Sequence, residues 1–496
     1  MFFINFKDFR MNIKIGQNIK VPTESNLSKN SHIFILFNEK QKNPLFSKPL
    51  LASLKRQGRK IIDLKKTAQT TELENGSLVT WLMVSDNKST FQIQTLLRKS
   101  LDKIISENPK SIAIVNESKK DELWTKQAVY VALINSQDLP DLKSGAKRKN
   151  LKSIDVYGIS KTSFKDTEAL VAGNTLTREL TITPPNQLTP TIYRQKIKKL
   201  SKENGWKVEE FTMPKLKKLG AGAFYAVAQG SDPQDAAIVH LTYAPRGASE
   251  TISLVGKGIC FDTGGHNLKP AKFMSGMHED MNGSAVVLGI LKAISDAKIK
   301  VKLDCWLAIS QNHIGPKAYK QDDVVKALNG MTIEVIHTDA EGRMVLADTL
   351  TMASRKKPKA IMDFATLTGC MHVAMGDRYS GVLSNNAALG CMAVGAGSEV
   401  GERVTAFPSD EDYEEDLKSQ IADIKQCTLE GGPDHIHATR FLSRFVDNNV
   451  PWLHMDLSSS NRKGGLGAVS SAVNGFGVSF GVNMIEKLMK KNTLSK

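Results

Sequence analysis

Four acidic residues stand where apolar, strand-like runs of this sequence give way to helix-like ones: Asp262, Asp280, Asp339 and Glu341. Four carboxylates brought to one point repel one another unless cations offset them. Two divalent metal ions do so when carboxylates bridge them roughly 3.5–4 Å apart, and such a pair activates water for hydrolysis. The acids sit in three short stretches: KGICFDTGG (257–265), HEDMNGSA (278–285) and TDAEGR (338–343). The first adds Lys257 and the last Arg343. On an ideal strand the spacing of Lys257 and Asp262 puts them on opposite faces. Gly256 and Gly258 offer a bend that turns both toward one point. In an extended TDAEGR, Asp339, Glu341 and Arg343 would share one face. Asp280 alone reads equally well as a helix-start carboxylate stabilised by the helix dipole.

The elements that must position these residues alternate along the chain. In the first 165 residues, runs 32–37, 78–84, 111–116 and 154–159 read as strands, and 91–106 and 121–136 as amphipathic helices. This is an α/β pattern holding no constellation of acids or histidines. Residues 165–182 read as one helix, stopped by the prolines of TPPNQLTP (183–190). Beyond it, 236–244, 251–261, 302–310 and 360–367 read as strands, and 284–298 and 343–354 as helices. Apolar strands alternating with helices imply a mostly parallel sheet covered on both faces, and in such sheets sites gather at the carboxyl ends of strands. The expected fold is therefore α/β with two domains: a smaller amino-terminal α/β domain over 1–165, a linker helix and Pro-rich boundary over 166–190, and a larger domain over 191–496.

Bulk properties narrow the classes. A chain of 496 residues, 41% hydrophobic and 24% charged, exceeds one ordinary core. No apolar run reaches the length of about 18 residues that a membrane helix requires. The opening MFFINFKDFRMNIKIGQ lacks the continuous apolar stretch of a secretion signal, and Met11 offers a second candidate start beside Met1. Five scattered cysteines without a CxxC pair fit reduced thiols in the cytoplasm. The net charge of +16 permits nucleic-acid binding, but the lysines are dispersed without aromatic interleaving, as on a solvated face.

The motifs KGICFDTGG, HEDMNGSA, TDAEGR and FATLTG, in this order and spacing, resemble the leucyl aminopeptidase family of metallopeptidases. The resemblance covers about residues 170–480 and includes PPNQLTP; DHIHATRFLSRF and WLHMDLSSS look closest to its peptidase B branch. The resemblance implies a cytoplasmic, homohexameric exopeptidase acting on the amino termini of peptides, and makes the larger domain the catalytic one. It implies that Asp262 and Glu341 bridge two metals, that Asp339 completes one site, and that Lys257 and Asp280 complete the other. A ligating lysine must be neutral, which a nearby dication favours. Oxygen ligands with one amine suit Mn²⁺ or Mg²⁺ and also bind Zn²⁺. By the same resemblance Lys269 stabilises the oxyanion, and Arg343 holds a bicarbonate ion as general base, a planar anion suited to a guanidinium. Met277, Thr366 and Gly369 match pocket positions, the Leu367 carbonyl matches a substrate acceptor, and Gly342 is read as a tight turn between Glu341 and Arg343. One departure is His337, where the family usually has Asn.

Other readings compete. Read alone, Lys269 before Pro270 is a solvated loop lysine. His435 and His437 form an HxH pair whose plainer reading is packing, and Cys260 reads as a small apolar residue. His266, His278 and His372 lie near the motifs without a ligand role. A dimetal phosphohydrolase also uses acidic clusters, but Lys257 and the TDAEGR spacing argue against it. Nucleic-acid binding is motivated by the net charge of +16, and some members of the family that the sequence resembles bind DNA.

Overall fold

The structure is a computed structural model that describes residues 13–118, 122–145 and 151–490. Met1 and Met11 lie outside the described residues. The strands, in chain order, are β1 (Lys14–Asn18), β2 (His32–Phe37), β3 (Gln69–Glu72), β4 (Leu78–Met83), β5 (Ser111–Asn116), β6 (Ser153–Tyr157), β7 (Lys207–Thr212), β8 (Ala237–Tyr243) and β9 (Thr251–Asp262). They continue with β10 (Lys302–Asn312), β11 (Val324–Lys326), β12 (Thr332–Glu334), β13 (Ala360–Ala365), β14 (Ser380–Ser384), β15 (Val404–Ala406), β16 (Ile424–Lys425) and β17 (Trp452–Asp456).

The architecture is α/β in two domains. The first sheet runs β1-β6-β5-β2-β4-β3, parallel except for the antiparallel β3–β4 edge. Its strands β2 and β5 are apolar on both faces because helices cover both, as the near-continuous runs HIFILF and SIAIVN require. The second sheet runs β15-β14-β17-β13-β9-β10-β8-β7. Its central strands β17, β13, β9 and β10 are parallel, with antiparallel pairings toward β7 and β14. One apolar core, including Leu180, Val286 and Phe480, covers one face, and another, including Phe224, Trp306 and Leu346, covers the other. A small sheet, β11-β12-β16, lies beside it.

The helix read over 165–182 forms at Lys165–Ile182 and is buried almost throughout from Ala169 to Thr181. Thr177 Oγ1 donates to Ala285 O at 2.9 Å, and Arg178 Nη2 donates to Ile134 O at 2.8 Å. The same helix therefore grips the helix Asn282–Asp296 under the second sheet and the end of the helix Glu122–Asn135 in the first domain.

Two local expectations are corrected. TDAEGR is neither extended nor a turn across Gly342: Asp339 lies in a turn and Glu341 starts the helix Glu341–Ser354. Gly342 is helical, and its missing side chain has a different cause. A Cβ there would stand 2.7 Å from Lys257 Cε and 2.8 Å from its Nζ. Likewise Lys257 and Asp262 are not joined by a bend at Gly256 and Gly258. On β9, Ile259 pairs with Ser310 and Asp262 with Asn312, so three steps along β9 match two along β10. The extra residue reverses the alternation of faces, which puts Asp262 on the side of Lys257. The glycines serve the other face: a Cβ at Gly256 would meet Ser284 Cα at 2.5 Å, so the helix Asn282–Asp296 could not pack so closely.

Candidate metal centre

Four segments converge at the carboxyl ends of β9 and β13. The strand β9 supplies Lys257 and Asp262, and the loop after it supplies Lys269. The 3-10 turn Met277–Met281 supplies Asp280, and the turn into the helix Glu341–Ser354 supplies Asp339 and Glu341. Asp262, Asp280 and Glu341 are buried, each with an oxygen within 4.8 Å of the others. Lys257 Nζ lies 2.8 Å from Asp280 Oδ1, 2.8 Å from Glu341 Oε1 and 3.1 Å from Thr366 O. Lys269 Nζ lies 2.9 Å from Asp262 Oδ2 and 2.5 Å from Asp339 Oδ1. Glu341 Oε2 is buried with no hydrogen-bond partner among the described residues, which is costly unless a cation meets it.

The electrostatics follow from burial and crowding. Burial, then the neighbouring Glu341 and Asp262, pushes the Asp339 carboxyl up to about 7, with Lys269 opposing. Burial raises Asp280 and Glu341 as well. Burial alone would lower Lys257, but Asp280, Glu341 and Asp262 outweigh it and hold the ammonium above its ordinary value. Lys269 is raised in the same way, against its own burial, by Asp262, Glu341 and Asp339. The two ammonium groups thus sit among carboxylates where hard cations would fit.

The loops are tied together by groups that the sequence reading gave no role. Asn312 Nδ2 donates to Asp262 Oδ1 at 2.9 Å and to Thr338 O at 3.0 Å, and Thr338 Oγ1 donates to Gly264 O at 2.6 Å. Asp456, at the end of β17, accepts from Leu367 N at 3.0 Å, from Thr368 N at 3.3 Å and from Thr368 Oγ1 at 2.6 Å. It thereby fixes the segment that carries Thr366, Leu367 and Gly369. A lone acid inside the apolar run WLHMDL was the available signal. Thr366 Oγ1 donates to Asp280 Oδ1 at 2.7 Å, so this segment adjoins the acids. Met277 opens the 3-10 turn that carries Asp280, and a Cβ at Gly369 would meet open space.

Arg343 is buried and already engaged. Its Nη1 donates to Gln426 O at 3.0 Å, and its Nη2 donates to both oxygens of Asp434 at 2.8 Å. The anion on this guanidinium is thus the chain's own carboxylate. The histidine pair diverges: His435 Nδ1 lies 3.2 Å from Cys370 Sγ, and His437 Nε2 lies 3.0 Å from Asp416 Oδ2. His337 Nδ1 accepts from Asp339 N at 3.2 Å, and burial, then Lys269 and Arg343, lowers its pKa. His266 and His372 are exposed, and Cys260 is packed in the core.

Known proteins resemble this chain in sequence and in fold. The sequence profile of the cytosol aminopeptidase family catalytic domain (peptidase M17) matches residues 175–482. A probable cytosol aminopeptidase of Prochlorococcus marinus strain MIT 9215 is 39% identical over 405 residues, 79% of this chain and 81% of the relative. A tomato leucine aminopeptidase mutant superposes with a TM-score of 0.85 at 26% identity, covering 97% of each chain. The bottromycin maturation enzyme BotP in complex with Mn superposes with a TM-score of 0.82 at 25% identity, covering 93% of this chain and all of that one.

Proposed function

The chain belongs to the cytosol aminopeptidase family and is a metal-dependent aminopeptidase, a hydrolase, and we propose that it works as a two-metal exopeptidase on the amino termini of peptides. The observation that carries this reading is the surplus of buried carboxylate: Asp262, Asp280 and Glu341 within 4.8 Å, with Glu341 Oε2 unpartnered. Lys257, Asp262, Asp280, Asp339 and Glu341 would hold the two ions. When bound, the ions supply Lewis acidity and a water of lowered pKa. With cations as counter-charge for the carboxylates, Lys257 would no longer be held in its protonated form and could serve as a neutral amine ligand.

The remaining roles fall to the chain's own groups. Lys269, an ammonium anchored on Asp262 and Asp339, stabilises the negative charge that develops on the scissile carbonyl oxygen. Met277, Thr366 and Gly369 line the side-chain pocket, and the Leu367 carbonyl accepts a hydrogen bond from the substrate. Asp456 keeps that carbonyl in place by holding the Leu367 and Thr368 amides. Mn²⁺ is supported by the manganese complex of BotP, and Zn²⁺ or Mg²⁺ suits the same oxygens. A homohexamer and a cytoplasmic location complete the proposal; among the described residues no helix is long and apolar enough to cross a membrane.

The test is release of amino-terminal residues from Leu-Gly, Met-Gly, Asp-Leu and Cys-Gly by metal-stripped protein resupplied with Mn²⁺ or Zn²⁺. Wild type should regain activity and Glu341→Ala should not. Folded, metal-loaded wild type that releases nothing from any dipeptide overturns the proposal. Light scattering checks the hexamer, which a 54.5 kDa monomer at assay concentration would contradict.

A further inference from the structure

The ion pair between Arg343 and Asp434 joins two helices far apart in sequence. Arg343 lies in the first turn of Glu341–Ser354, two residues past Glu341, and Asp434 opens the helix Asp434–Ser443. The arginine side chain is 2% exposed and the aspartate side chain 36%. The cation is therefore interior, and the carboxylate stands on its solvent side. The pair is built rather than incidental. Gly431 and Gly432, with φ of 73° and 110°, turn the chain into Pro433 and deliver Asp434 to the guanidinium. Gln426, whose carbonyl takes Nη1, also accepts from Ile336 N and His337 N and donates to Ala340 O. One residue thus positions both the arginine and the turn bearing Asp339.

We propose that Asp434 is a fixed substitute for the exchangeable bicarbonate expected on Arg343, so that this chain carries its proton acceptor covalently. The proposal rests on the two-metal aminopeptidase reading. In the step it serves, the oxygen of one water bonds to the peptide carbonyl carbon and one of its protons passes to Asp434. The C–N bond breaks, and that proton goes on to the departing amine, leaving Asp434 a carboxylate again. A guanidinium holds a carboxylate and a bicarbonate by the same planar contacts. Removing the side chain should therefore open the site to the free ion.

The experiment compares wild type, Asp434→Ala and Asp434→Asn, all metal-loaded, in bicarbonate-depleted buffer with and without sodium bicarbonate. Three readouts are taken: hydrolysis of Leu-p-nitroanilide, melting temperature, and broadening of the ¹³C resonance of labelled bicarbonate. Wild type should be fully active without bicarbonate and indifferent to it in all three. Asp434→Ala should lose about 10²-fold in kcat, in the range of a lost general base. Bicarbonate should then restore its activity, raise its melting temperature and show ¹³C broadening. Asp434→Asn, whose amide keeps the space filled, should stay impaired without rescue. It also carries the test if the alanine variant does not fold, since bicarbonate should leave it unchanged. Stimulation of wild type by bicarbonate overturns the proposal. So does a folded Asp434→Ala that keeps wild-type activity or ignores bicarbonate. Wild type inactive on every substrate and metal instead sinks the aminopeptidase reading itself.

Discussion

Two buried lysines in this protein meet opposite fates. Lys196, on the helix Pro190–Asn204, lies 2.5 Å from Glu179 on the helix Lys165–Ile182, with both side chains under 10% exposed. Burial lowers Lys196 to about 8 despite its partner, and burial raises Glu179. Lys257 is as deeply buried, yet Asp280, Glu341 and Asp262 together outweigh burial and raise it. One opposite charge does not repay the desolvation of a lysine, whereas three do. The pair at Lys196 is balanced within itself. The centre at Lys257 sets four carboxylates against two ammonium groups, and that surplus of negative charge asks for ions from solution.

The largest effect that tests this contrast is removal of one carboxylate from the crowded centre. Glu341→Gln should abolish peptide release and metal uptake, read by activity and by metal content after dialysis. The metal-free variant should nonetheless be as stable as wild type or more so, since the change relieves repulsion from Asp262. A metal-free variant that melts well below wild type would mean Glu341 is structural. Next comes Lys269→Met, expected to lower kcat by about 10²–10³-fold, the effect of losing one oxyanion donor. Metal content should hardly change, which separates this lysine from the ligands.

Glu179→Gln breaks the balanced pair, and here the loss falls on the fold. A buried lysine left without its carboxylate costs about 3 kcal/mol, read as a lower urea midpoint with unchanged slope, while kcat per folded enzyme stays at the wild-type value. Equal stability in the variant would mean Lys196 simply loses its proton, and the contrast with Lys257 would shrink to one of degree.

The sequence carried the acids of the centre because each sits in a short local motif that a strand-to-helix turn must display. The strands 32–37 and 111–116 and the helix 165–182 were legible for the same reason: apolar period and proline stops are local signals. What escaped was long-range. The added residue between Ile259 and Asp262 is defined only by its pairing with β10. Gly342 looks like a turn until Lys257, far away in sequence, is seen to fill the space beside it. Arg343 reads as an open anion site because its partner Asp434 follows 91 residues later. Asp456 shows in the sequence only as a lone acid in the apolar run WLHMDL, and its task appears only when β17 lies beside β13.

The smallest expected effect separates the two regions by pH. Without metal, Asp339 has a folded pKa of about 7 against an ordinary 3.8, and Asp280 and Glu341 are raised as well. Between those values the folded chain keeps protons that the unfolded chain has lost. Stability therefore falls as pH rises from about 4 to 7 and levels off above. Glu179 is shifted the same way, but it is remote from the ions and contributes equally with or without them. The difference in melting temperature between metal-loaded and metal-free protein therefore isolates the centre. Metal binding requires the carboxylates deprotonated, so this difference should widen by several degrees from pH 5.5 to pH 7.5. Lys257, held protonated in the metal-free chain and neutral as a ligand, adds to this widening, whereas Lys269 keeps its charge in both states. A difference that stays flat across the window would mean that the ions displace no protons, neither from these carboxylates nor from Lys257, and would contradict Lys257 as a ligand.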